Sequence, residues 1–141
     1  MEPRVTLITL GVSDLQRSIG FYADGLGLPL SSASGDDVAF FRTEGTVLAL
    51  YPRHLLAKDC GVPDDGRGFS GIVLAHNVRE PHQVDEMLAE AARAGATIAR
   101  PAGEAFWGGR TGCFADPDGY LWEVAWNPGL PLGPDATMTL P

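Results

Sequence analysis

Phe114-Ala115-Asp116-Pro117-Asp118-Gly119-Tyr120-Leu121-Trp122-Glu123 is the stretch that decides the fold of this chain. Its centre, Asp116-Pro117-Asp118-Gly119, reads as a tight turn: proline presets φ at the first corner, and glycine is free to take a positive φ at the exit. The flanks, Thr111–Ala115 and Tyr120–Trp126, read as strands, so the whole is an antiparallel hairpin. Alternation along the second strand puts Leu121, Glu123 and Ala125 on one face and Trp122 and Trp126 on the other. A carboxylate therefore stands in the middle of an otherwise apolar face.

Upstream of this hairpin, Gly71–Val78 reads as a strand and Pro81 suits the first turn of a helix. Val84, Met87, Leu88 and Ala91 give that helix an apolar face, and Gly95 closes it. Ala96–Arg100 is a further strand, so the order is β-α-β-β-β. The N-terminal half repeats it. Val5–Val12 is a strand, and Ser13-Asp14-Leu15-Gln16 has capping-box form with Ser13 at the N-cap. Leu15, Ile19, Tyr22 and Leu26 follow at helical spacing, and Gly27 and Pro29 end the helix. Short strands come next, around Leu30–Ser32, Asp37–Arg42 and Thr46–Pro52, the last two joined by Thr43-Glu44-Gly45. Ile8-Thr9-Leu10 aligns with Ile72-Val73-Leu74, Gly27 with Gly95, and Gly45 with Gly119.

This reading predicts an α+β fold in one domain over 1–141. Module one spans 5–52, a linker 53–69, module two 70–127 and an extended tail 128–141. The sheets are expected to be mixed and curved, with helices on their convex faces.

Composition agrees and narrows the partners. Gly and Pro together supply 29 of 141 residues, which suits many short elements and disfavours a helical bundle. The formal net charge is −8, with nine arginines and a single lysine, Lys58. No basic stripe is present to neutralise phosphates or anionic lipid, so neither a nucleic acid nor a membrane is an expected partner. No export-type or membrane-spanning run is visible, which makes the cytoplasm the default location. Arginine richness suggests a GC-rich bacterial genome. Cys60 and Cys113 lack metal-type spacing, and Cys113, alternating with apolar neighbours, is expected to pack as a small hydrophobe.

Two strings carry a resemblance to a known family. Val12-Ser13-Asp14-Leu15-Gln16-Arg17-Ser18-Ile19-Gly20-Phe21-Tyr22, followed by Gly25-Leu26-Gly27-Leu28, resembles the first helix of vicinal-oxygen-chelate proteins. That superfamily includes glyoxalase I, extradiol dioxygenases and fosfomycin- and bleomycin-resistance proteins. Phe114–Glu123 resembles its closing hairpin. The resemblance spans roughly residues 5–127 and implies paired modules enclosing a half-open barrel cavity, commonly in a homodimer. It also implies four metal-ligand positions, which fall here on Leu7, Ala49, Gly71 and Glu123. Only Glu123 keeps a ligand type; catalytic zinc, nickel or iron needs about three protein ligands. No metal and no other cofactor is therefore expected. His54 and His82 read as residues in or beside surface turns, and His76 has the wrong strand parity to face the cavity.

Period-2 reading assigns Leu7, Thr9, Gly11, Val47, Ala49, Tyr51, Gly71, Val73, Ala75, Leu121 and Ala125 to the concave surface with Glu123. Most are small or apolar, as in a small-molecule site. Glu123 in such a setting loses hydration, which raises a carboxyl pKa and suits it to acid–base work or to a cationic partner. The other reading of Glu123 pairs it with a base such as Arg110. The resemblance implies that the stretch before the penultimate strand borders the cavity; Phe106, Trp107 and Arg110, around Gly108-Gly109, fall there and suit stacking on a planar ligand and contact with an anion. Trp122 and Trp126 are expected to pack beneath a helix.

The function that follows is a glyoxalase-like protein without the customary metal site, which binds a small organic molecule, aromatic or cationic, for drug or metabolite sequestration. The alternatives are a glyoxalase- or dioxygenase-type metalloenzyme, and a metal-free isomerase or lyase that uses Glu123 as its proton-transfer group.

Overall fold

The structure, a computed structural model of the chain, describes residues 1–138 and Leu140. Thr139 and Pro141, which the sequence assigns to the tail, lie outside the described residues. The fold is α+β, with two open mixed sheets of three and four strands. It divides into two compact units, Met1–Ser70 and Gly71–Pro141.

In the first unit, β1 (Leu7–Val12) pairs in parallel with β3 (Val47–Pro52), which pairs antiparallel with β2 (Ala39–Phe41). The expected strand at Leu30–Ser32 is reduced to a single bridge between Leu30 and Phe41. Helix α1 (Leu15–Ile19) is capped by Asp14, one residue later than expected, whose side chain accepts from the Arg17 N–H. Ser13 instead accepts from the Arg17 guanidinium at 2.9 Å. The chain then widens into a π-helical turn, Gly20–Gly25.

The buried residues here are Ser18, Phe21 and Tyr22. Of the expected stripe of Leu15, Ile19, Tyr22 and Leu26, Tyr22 is fully buried and the other three are half-buried. Two adjacent aromatic rings both enter the core, 5.0 Å apart and edge-on, with Tyr22 also 5.9 Å from Phe41. The bulk of those rings outweighs regular spacing, because each buries more apolar area than an aliphatic side chain. Gly27, at φ 72°, ends the turn as predicted.

The expected linker begins with a helix. Arg53–Asp59 forms helix α2, seated on β1 and β3 within the first unit. Gly11 permits this, since a Cβ there would lie 3.1 Å from Arg53 Cα and 3.2 Å from its Cγ. The Arg53 guanidinium also bonds Asp64 and the Gly66 carbonyl, which ties 60–66 back to the helix.

In the second unit the strand order is β4-β7-β6-β5, formed by β4 (Val73–Asn77), β5 (Thr97–Glu104), β6 (Arg110–Ala115) and β7 (Leu121–Trp126). β4 and β7 are parallel; the other pairs are antiparallel. The first unit's order, β1-β3-β2 with Leu30 bridged beyond, is the same order with its last strand cut down. Helix α3 (His82–Ala94) buries Val84, Leu88 and Ala91 and ends on Gly95 at φ 108°, as the sequence indicated. Gly112 brings the helix close to β6, because a Cβ there would meet Leu88 Cδ1 and the backbone of Arg100 and Ala102.

The decisive hairpin holds as read. Asp116 Oδ1 accepts from the backbone of Asp118 and Tyr120, both at 2.9 Å, and Gly119 takes φ 89°. Its counterpart Gly45 takes φ 80°. Trp122 lies on the helix side as expected, stacked on Phe114 with ring centroids 6.2 Å apart.

The internal alignment needs one correction. Ala49 lies four residues after Gly45, and Glu123 four after Gly119; their parallel partners are Thr9 and Ala75. Leu7 therefore corresponds to Val73 and not to Gly71, a shift of two residues. Because the shift is even, the face assignments of the residues within β1, β3, β4 and β7 survive. Among the described residues no helix is long and apolar enough to cross a membrane.

Candidate functional site

Glu123 stands near the middle of β7, and the register places Ala75 of β4 on one side of it and Cys113 of β6 on the other. Thr111 follows on the same face of β6, since strand residues two apart share a side. Its hydroxyl donates to Glu123 Oε1 at 2.9 Å and accepts from Arg100 Nη2 at 3.2 Å. Nη1 of Arg100 donates to the Thr111 carbonyl at 3.4 Å, and Nη2 reaches Cys113 Sγ at 3.6 Å. The guanidinium and the carboxylate are 3.9 Å apart. Thr111 is buried, while the side chains of Arg100 and Glu123 retain 48% and 39% of their exposure, so both charges are open to solvent.

Arg100 was not among the residues expected from sequence. Counting alternately from Ile98 puts it on the helix side of β5. The ladder breaks that count: Ile98 pairs with Phe114 and Arg100 with Cys113, so two steps of β5 match one step of β6. Such a bulge re-aims one side chain, and here it turns Arg100 onto the Glu123 face. Cys113 correspondingly lies against a guanidinium and does not pack as a plain hydrophobe.

Arg110 is the reverse case. It lies on the helix side of β6, where its Nε and Nη2 donate to the two Asp85 carboxylate oxygens of α3 at 2.7 and 2.8 Å. These bonds hold the Asp85 carboxyl below its ordinary pKa and Arg110 above its own. The expected pairing of Arg110 with Glu123, and its expected contact with a ligand anion, are replaced by this helix-to-sheet clamp.

The remaining expected site residues divide between the units. In the second, Val73 and Leu121 pair with each other on the Glu123 face. Gly71 precedes β4 at φ 79° and is not a strand residue. Phe106 is fully exposed in the β5–β6 turn. Trp107 folds back, its ring occupying the space that a Cβ on Gly109 would need.

In the first unit, Leu7, Thr9, Val47, Ala49 and Tyr51 share one face by register, as predicted. Ala49 is fully buried and Leu7 is exposed. The Gly11 end of that face is covered by α2. Tyr51 lies near Asp59 at the end of that helix, and burial together with the Asp59 and Asp37 carboxylates raises its phenol pKa. This end of the face is thus roofed by the chain itself.

The donor chemistry does not fit a family-type metal. Leu7 and Ala49 carry no lone pair, Gly71 has no side chain, and the register counterpart Val73 offers none either. Glu123 alone could ligate. Among the described residues no group of three or more His, Cys, Asp and Glu side chains gathers to hold an ion. His76 lies on the helix side with Leu74 and Val124, where burial lowers its pKa against the opposing pull of Glu90. His54 lies in helix α2, and His82 opens α3 directly beside the turn at Pro81.

Comparison with known proteins agrees with this architecture. A family model described as the glyoxalase/bleomycin resistance protein/dioxygenase superfamily matches residues 4–124. An uncharacterised protein of Bacillus subtilis (strain 168), YraH, is 30% identical over 122 residues, covering 83% of this chain and 93% of that one. The crystal structure of a glyoxalase-related enzyme from Fulvimarina pelagi superposes with a TM-score of 0.90 at 38% identity, over 98% of both chains. A glyoxalase/bleomycin resistance protein/dioxygenase from Nocardioides gives 0.74 at 29% identity, over 89% of this chain and 84% of that one. With both signature strings in place and the model match running from the first strand into β7, this chain belongs to the glyoxalase/bleomycin resistance protein/dioxygenase superfamily.

Proposed function

We propose that this chain binds a small organic molecule on the Glu123 face of its second sheet without the customary metal of its superfamily. The observation that carries the reading is the donor set: three of the four family positions hold Leu7, Ala49 and Gly71. At the fourth, Glu123 already accepts from Thr111 beside Arg100. Sequestration needs shape and complementary polar groups but no Lewis acid, so it tolerates this loss. The protein would act in the cytoplasm, as a homodimer.

Native mass spectrometry and metal analysis of protein purified without chelators test the proposal. The expected result is a co-purifying organic molecule with zinc, nickel, iron and manganese at background. Stoichiometric metal overturns it in favour of a metalloenzyme.

A second reading, metal-free catalysis with Glu123 as the proton acceptor, is favoured by the Fulvimarina pelagi relative being named an enzyme. It requires a turnover that disappears in Glu123→Gln while thermal unfolding stays unchanged. A general base must reach the proton it takes, and the half-exposed Glu123 meets that need.

A further inference from the structure

The polar cluster on β5, β6 and β7 has an internal balance that narrows the ligand. Arg100 contributes one positive charge and Glu123 one negative, with Thr111 bonded to both. The threonine hydroxyl has its single proton on Glu123 and its acceptor site on Arg100, so its bonding capacity toward the two is used. What is left is directional. Arg100 spends one N–H of Nη1 and both of Nη2 on Thr111 and Cys113, and among the described residues its Nε–H and second Nη1–H have no acceptor. Glu123 uses Oε1, and among the described residues Oε2 has no donor.

We propose that this face holds a neutral, planar carboxamide-like group, whose oxygen accepts from Arg100 and whose N–H donates to Glu123. This rests on the reading above that the Glu123 face binds a small molecule, and it replaces the expected cationic ligand. A ligand cation attracted by Glu123 is repelled by Arg100, 3.9 Å away from that carboxylate, and a ligand anion meets the opposite conflict. A neutral group that carries an acceptor and a donor side by side, as in an amide, lactam or similar heterocycle edge, satisfies both without a net charge. A group lacking one of the two leaves a polar atom of the site without its bond, which is how such sites discriminate. The Trp107 ring fills the Cβ side of Gly109, two residues before Thr111 in the chain.

The experiment is an NMR titration of isotope-labelled protein with three probes of one shape: benzamide, benzoate and benzamidinium. Benzamide is expected to shift the amide signals of Arg100, Thr111 and Glu123 saturably. Its apparent affinity should exceed that of either charged probe by about 5-fold, the worth of one hydrogen bond of ordinary strength. In Glu123→Gln the local charge becomes positive and benzoate should lead; in Arg100→Gln it becomes negative and benzamidinium should lead. Thermal unfolding of both variants, compared with the parent, verifies that they are folded.

Equal affinities for all three probes at these signals overturn the donor–acceptor pairing while leaving ligand binding at this face intact. A lead for benzamidinium in the parent protein does the same and restores the cationic ligand. No shift on β5, β6 or β7 with any probe overturns both the pairing and the ligand-binding reading of this face.

Discussion

Phe41 and Phe114 occupy equivalent places in the two halves of the molecule, and so do Ala49 and Glu123, yet only the first pair is chemically matched. On the helix side the halves agree closely. Leu50 and Val124 correspond, and Leu30 bridges Phe41 as Ile98 pairs with Phe114. On the other face they have parted. The first half presents Leu7, Thr9, Ala49 and Tyr51, with α2 folded over the Gly11 end. The second half carries Arg100, Thr111, Cys113 and Glu123 and leaves its charges open to solvent. The core face is held by packing density, which tolerates little change of volume. The other face carries that restraint where it is closed, as at Ala49, and is open at Arg100 and Glu123, so its chemistry is where the halves could diverge.

The comparison breaks first if the two phenylalanines are not equivalent. Phe41→Ala and Phe114→Ala should each cost about 3–5 kcal/mol by large-to-small truncation in a packed core. Urea unfolding of the two variants measures this; a loss confined to one of them would show that only one half depends on its own phenylalanine-centred core.

Exchanging the mismatched pair sharpens the contrast. Ala49→Glu forces a carboxylate into a fully buried position and should lower stability by about 3 kcal/mol or more. Glu123→Ala removes a half-exposed side chain and should lower it by about 1 kcal/mol or less. Similar losses in the two variants would contradict the assignment of Ala49 to a closed face and Glu123 to an open one.

The smallest effect concerns the clamp in the second half. Arg110 holds the folded-state pKa of Asp85 below its ordinary value. The pair therefore contributes in full above the unfolded carboxyl pKa of about 3.9, and the contribution is lost as pH falls through the lowered folded value. Relative to the parent, Asp85→Asn should show a flatter acid limb in a profile of stability against pH below about 4, with the two converging at the acid end. An unchanged limb would mean that Asp85 is not held by Arg110 in solution.

Much of this molecule was legible before any coordinates. The Asp116-Pro117-Asp118-Gly119 turn, the parity of β7, the stop at Gly95 and the doubled β-α-β-β-β order follow from local rules: glycine takes positive φ, proline fixes φ, and side chains alternate along a strand. Arg110 stands beside the Phe106–Gly109 turn in sequence, yet strand parity sends it to the helix side and onto Asp85. Arg53–Asp59 went unseen as a helix because an exposed seven-residue segment has little periodicity to read, and its seat on Gly11 depends on contacts over more than 40 positions of chain.

Sequence by itself determined most of the strands, helices α1 and α3, the duplication and the parity of β1, β3, β4 and β7, because these depend on residues a few positions apart. Only the tertiary structure decided what Glu123 meets. One bulge in β5 moves Arg100 across the sheet, and a bulge is set by how two strands pair, not by either strand alone. That shift of a single residue turns a lone carboxylate into a charge-balanced pair.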